Sequence, residues 1–145
     1  MVQHYSALRR IARDREGSTL IEFALLCPTL IAMLLGAIQI GTGMKAYNAL
    51  RGASADLARY AVVNYQTKNT LTDQQLSSYG QSLGINGAYQ LTNTRLQVNV
   101  STPTTQRIAG ATEKTITMTY DVPSMLTIIG LDDVRITYTR PIFLL

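Results

Sequence analysis

The spacing of apolar positions changes character twice along the chain. Residues 23 to 44 form an apolar run with no charge before Lys45. At about 1.5 Å per helical residue, such a run crosses the roughly 30 Å hydrocarbon core of a bilayer. A secretory signal has a shorter apolar region, about 7 to 15 residues, followed by a small-residue cleavage site. This run exceeds that length and no such site follows it, so the pattern predicts a membrane-crossing helix.

Past the run, the helical period persists but becomes one-sided. Ala46, Ala49, Leu50, Ala53, Leu57, Tyr60 and Ala61 recur at spacings of three and four, with Lys45, Asn48, Asp56 and Arg59 opposite. One long helix is expected from about Ser18 to Val63 or Asn64, with Pro28 as a point of bending. A polar break at residues 66 to 70 precedes "TDQQLSSYGQSLG". There Thr72 and Gln75 have capping-box spacing, so a short helix to about Ser82, ended by Gly84 and Gly87, is predicted.

The remainder alternates with period two. Leu96, Val98 and Val100 share one face, as do Ile116, Met118, Tyr120 and Val122, and then Val134, Ile136 and Tyr138. Three half-apolar strands and one half-apolar helix bury their faces most economically against each other. The expected fold is therefore α+β: a long N-terminal transmembrane and amphipathic helix packed on a small antiparallel sheet. Between the second and third strands, "PSMLTIIGLDD" reads as an apolar loop or short helical turn covering one end of the core.

Composition sharpens this picture. Charged residues make up 15% of the 145 positions, against about 25% in typical soluble domains. Arg9, Arg10, Arg13 and Arg15 precede the span, and only Lys45 and Arg51 closely follow it. That asymmetry places the N-terminus in the cytoplasm and the remainder outside it. Half of the formal charge of +4 resides in the first 16 residues, so the chain beyond them is close to neutral. Nucleic acid is not an expected partner. The single cysteine, Cys27, lies within the span and reads as a small apolar side chain.

The stretch "REGSTLIEFALLCPTLIAMLL" carries the distinctive chemistry. A basic leader, Gly17, Ser18, Thr19, two aliphatics, Glu22, Phe23 and then the span resemble the prepilin processing signature of type IV pilin-like proteins. "EFALLCP" with "LLGAIQIG" narrows the resemblance to the TadE-like pseudopilins of tight-adherence (Flp) pilus systems. The close similarity covers about residues 13 to 64. It implies a pilin-like fold, with residues 1–17 as a leader peptide, 18–44 as the transmembrane helix and 45–145 as an extracytoplasmic head. It also implies cleavage between Gly17 and Ser18 by a membrane-embedded prepilin peptidase, which leaves Glu22 fifth in the mature chain.

Side-chain chemistry fits those roles. Gly17 lets catalytic groups approach the backbone closely. Cleavage would leave an α-amine on Ser18 that is mostly protonated at neutral pH. A carboxylate at Glu22 costs a few kcal/mol within a bilayer unless paired. Ammonium and carboxylate on neighbouring subunits would neutralise each other and set the axial stagger. Glu22, Phe23 and Pro28 are thus the expected assembly residues. Ala32 with Gly36, and Ala37 with Gly41, form small-xxx-small pairs that permit close helix packing. A blander reading leaves Glu22 at the membrane interface, favoured only by the helix N-terminus.

Asp56 and Arg59 fit a solvated helix pair. Asp132 and Asp133 supply too few oxygens for a calcium site. No metal, cofactor or catalytic residues are expected, and His4 is the only histidine. The resemblance implies a minor pseudopilin of the bacterial inner membrane, with a periplasmic head, acting in pilus assembly or initiation. Its expected partners are the prepilin peptidase, other pilins or pseudopilins, inner-membrane pilus platform proteins and membrane lipid. Two other readings stay open: an uncleaved membrane-anchored scaffold, and a single-pass sensor whose head binds an extracytoplasmic ligand.

Overall fold

The structure, a computed structural model, describes residues 15–127 and 130–145. His4 and the basic residues Arg9, Arg10 and Arg13 lie outside the described residues. The chain divides into two compact units, Met1–Ile38 and Gln39–Leu145. Helix α1 covers Arg15–Gln66 and includes Pro28. It is already helical at Arg15, the first described residue, ahead of the expected Ser18, and extends slightly past the expected end. After α1, Thr67 N–H bonds to the Val63 carbonyl and Asn69 N–H to the Asn64 carbonyl. Lys68 there takes a left-handed conformation, with φ 61. This satisfies carbonyls that a helix end would otherwise leave open.

Helix α2, Asp73–Asn86, starts at the expected capping box. The Thr72 side chain accepts a bond from Gln75 N–H, and the Gln75 side chain accepts one from Thr72 N–H. Its end differs from the expectation. Gly84 lies inside the helix and is buried, while Gly87 alone caps it. The reason is packing: a Cβ on Gly84 would run into Leu96 Cδ2, and one on Gly80 would stand 2.7 Å from Leu57 Cδ2. These glycines let α2 approach its neighbours closely.

Strands β1 (Leu96–Ser101), β2 (Thr112–Val122) and β3 (Val134–Leu144) form an antiparallel sheet in the order β1-β2-β3. In the register, Val98 pairs with Met118 and Met118 with Tyr138. All three share the face assigned from the period-two pattern. Strand β3 runs beyond Tyr138 and includes Pro141, opposite Thr115. Proline is tolerated because β3 is an edge strand, where one row of N–H groups has no ladder partner.

Within the Gln39–Leu145 unit, one core joins the elements. Ala46, Ala49, Leu50, Ala53, Leu57 and Ala61 of α1 are all buried, as the stripe predicted. They cluster with Leu76, Leu96, Ile116, Met118, Val122 and Ile142. Small alanines at the contact allow the sheet and α2 to close on α1. Tyr60 of α1 stacks on Tyr79 of α2 at 3.8 Å between ring centroids.

Candidate processing and membrane-assembly site

The proposed site residues all lie on one continuous helix, α1. Gly17 and Ser18 fall in its first described turn, so the Gly17–Ser18 peptide bond is helical. Glu22 is exposed, as are its apolar neighbours Leu20, Ile21 and Phe23.

Pro28 sits within the helix, where its missing N–H leaves the Ala24 carbonyl without its usual bond. Cys27 is a free thiol of intermediate exposure. Among the described residues of this unit, Leu25, Leu26, Leu30, Met33 and Leu34 are exposed and Leu35 is partly so. A surface so apolar is unfavourable in water and suits a lipid or protein environment. A Cβ placed on Gly36 or Gly41 would meet nothing within 4 Å. Ala32 and Ala37 are exposed.

In the head, several charged groups bond to one another. Lys114 Nζ donates to the Asp73 carboxylate, which also accepts from Thr102 Oγ1. Burial pushes the Asp73 carboxyl up, but the bonds from Lys114 and Thr102 outweigh it and hold it below the usual range. Arg107 pairs with Glu113 and holds that carboxyl down. Arg135 bonds Asp121 in two-pronged fashion. Asp133 accepts from Ser124 N–H at 2.9 Å and from Arg95 at 2.6 Å.

Asp56 and Arg59 meet at 4.0 Å, but Asp56 also accepts a 2.7 Å bond from Tyr89 Oη. Partial burial and this carboxylate push the Tyr89 hydroxyl up to about 12. Reading the sequence missed the Lys114–Asp73 and Arg107–Glu113 pairs. Lys114 gave a signal, a charge interrupting the otherwise apolar inward face at the start of β2, whereas Glu113 lies on the opposite face with Thr115 and Thr117.

These features define an α+β protein whose N-terminal helix is compatible with a single membrane crossing. Residues 17–59 match the family model described as TadE-like protein. The resemblance read from the motif is therefore shown over that segment, and the chain is similar to a Tad pilus-associated family. TadE-like pilus proteins are structural rather than enzymatic. The match begins at Gly17 and contains Glu22, Phe23 and Pro28; the sheet lies beyond it. No curated protein and no solved structure matches the chain.

Proposed function

We propose that this chain is a minor pseudopilin of a tight-adherence pilus. The observation that carries this reading is the TadE-like match over residues 17–59, which starts at the glycine where cleavage would occur. On this reading, a prepilin peptidase removes residues 1–17 at the cytoplasmic face of the inner membrane. The new Ser18 amine and the Glu22 carboxylate then pair between neighbouring subunits, while the head projects into the periplasm. Ala32 with Gly36, and Ala37 with Gly41, provide surfaces for close helix contact. The pilus platform and other pilins are the partners at which assembly starts.

The exposed apolar helix surface around Glu22 supports the account. A carboxylate there is costly in lipid, and a cationic neighbour offsets that cost. Glu22→Ala should insert and be cut normally, because it makes the span more apolar and leaves the cleaved bond intact. Crosslinking to other pilus subunits and surface piliation should both fall. Glu22→Gln should fail nearly as badly, and Glu22→Asp should be intermediate. If the alanine and glutamine variants crosslink and piliate like the parent, Glu22 is only an interfacial residue.

A further inference from the structure

We infer that the β2–β3 loop seats the head on the membrane, placing Met125 and Leu131 among the lipid headgroups and upper acyl chains. The inference rests on the reading of residues 23 to 44 as a span.

The first observation is the loop's height along α1. Gln39 belongs to the charge-free run, six residues before Lys45, or about 9 Å along the helix axis. Its side-chain amide holds the loop backbone: Oε1 accepts from Met125 N–H at 3.0 Å, and Nε2 donates to the Pro123 carbonyl at 3.4 Å. A loop fastened to Gln39 lies level with the final turns of the span. Strand β3 begins at the same level, since a Cβ on Gly43 would stand 3.8 Å from Ile136 Cδ1.

Second, the loop presents apolar side chains there. Met125 is 48% exposed and Leu131 51%; also exposed are Val134 at the start of β3 and, flanking the Gln39 anchor along α1, Ile40 and Met44. Clustering of exposed apolar groups at the membrane end of a head is the expected signature of interfacial burial.

Third, five N–H groups of the loop's described residues have acceptors within the head, which lowers the cost of their leaving water. Ser124 N–H bonds to Asp133, Met125 N–H to Gln39, and Leu126 N–H to Ser124 Oγ. Gly130 N–H bonds to the Thr127 carbonyl and Leu131 N–H to the Leu126 carbonyl.

Of the charges adjacent to the tip, Asp133 pairs with Arg95 and Asp121 with Arg135, while Asp132, next to Leu131, is exposed to the headgroup side. Such pairs tolerate the headgroup region better than isolated charges would. Tyr47, half-exposed and packed edge-on against Tyr138, is a residue type favoured at that depth.

The test uses full-length protein in phosphatidylethanolamine–phosphatidylglycerol vesicles. Single cysteines at Met125, Leu131, Leu30 and Ser78, in a Cys27→Ala background, carry an environment-sensitive fluorophore. Labels at positions 125 and 131 should emit to the blue. They should be quenched by lipid bearing a nitroxide high on its acyl chain, and should resist aqueous iodide. Ser78 lies on α2, whose Gly80 packs near Leu57, well up the helix from Gln39; its label should show the opposite response. Gln39→Ala should lessen lipid quenching at position 125 while leaving it unchanged at position 30.

Aqueous emission and iodide quenching at positions 125 and 131, with position 30 in lipid, would overturn the loop placement alone. Shielding of these two labels from both quenchers would mean that protein covers the loop, and would also overturn it. Iodide quenching at position 30 would remove the spanning reading itself.

Discussion

The close seat of α2 gives a coupling that can be measured. Leu57 is fully buried, and its Cδ2 would stand 2.7 Å from a Cβ placed on Gly80. Leu57→Ala removes buried methyl groups and leaves a cavity, at a cost of about 2–5 kcal/mol. Gly80→Ala gains about 0.8–1.0 kcal/mol of helix propensity. It also forces its new methyl against Leu57 and Val98, an overlap of the kind that costs about 1–3 kcal/mol. Alone, it should be neutral to moderately destabilising. In the double variant the new methyl at position 80 enters space vacated by Leu57, leaving only the approach to Val98 Cγ1 at 2.9 Å. The pair should therefore be less destabilised than the sum, by about 1 kcal/mol, within the range seen for contacting residues. Chemical denaturation in detergent, followed by near-ultraviolet circular dichroism, reads this directly. The stacked Tyr60 and Tyr79 lie beside the altered contact and supply the signal. Strict additivity, or outright stabilisation by Gly80→Ala, would refute the close seat of α2.

Acid should loosen the head. Asp73, Glu113, Asp121 and Asp133 all have carboxyls held below their ordinary values of 3.8 or 4.5. The unfolded chain then takes up protons first as pH falls, so stability is present above about pH 5 and is lost progressively below it. The melting temperature of the protein in detergent should drop between pH 5 and pH 3, and an unchanged or rising value would contradict the paired carboxylates. A cysteine at Ser78, in a Cys27→Ala background, should react with an impermeant thiol reagent in intact spheroplasts; labelling only after lysis would reverse the proposed orientation.

Much of the fold was legible because its signals are local. The stripe from Ala46 to Ala61 has a helical period, and the alternation in each strand fixes which face turns inward. The capping box at Thr72 and Gln75 likewise involves residues three apart. Failures occurred where distant residues decide. Gly84 looked like a helix terminator because glycine usually serves that purpose, yet here Leu96, twelve positions away, requires its missing side chain. Strand β2 starts at Thr112, with charged Glu113 and Lys114 buried, because Arg107 and Asp73 compensate them. Pro141 concealed the second half of β3, since its compatibility depends on the strand's edge position. Gly17, Glu22, Phe23 and Pro28 were grouped by their resemblance to a pilin-like motif, and they fall on one helix. The bonds from Gln39 to the loop at Pro123 and Met125 left no trace in periodicity, because they link residues more than 80 positions apart.

The central claim is that the functional protein is a processed pseudopilin. Intact-mass and N-terminal peptide analysis of the protein from its native membrane tests it most directly. The account predicts a mature chain beginning at Ser18, and accumulation of the full-length form when Gly17 is replaced by arginine. A wild-type chain that retains its leader beside an active prepilin peptidase would contradict the account and favour a permanently anchored scaffold.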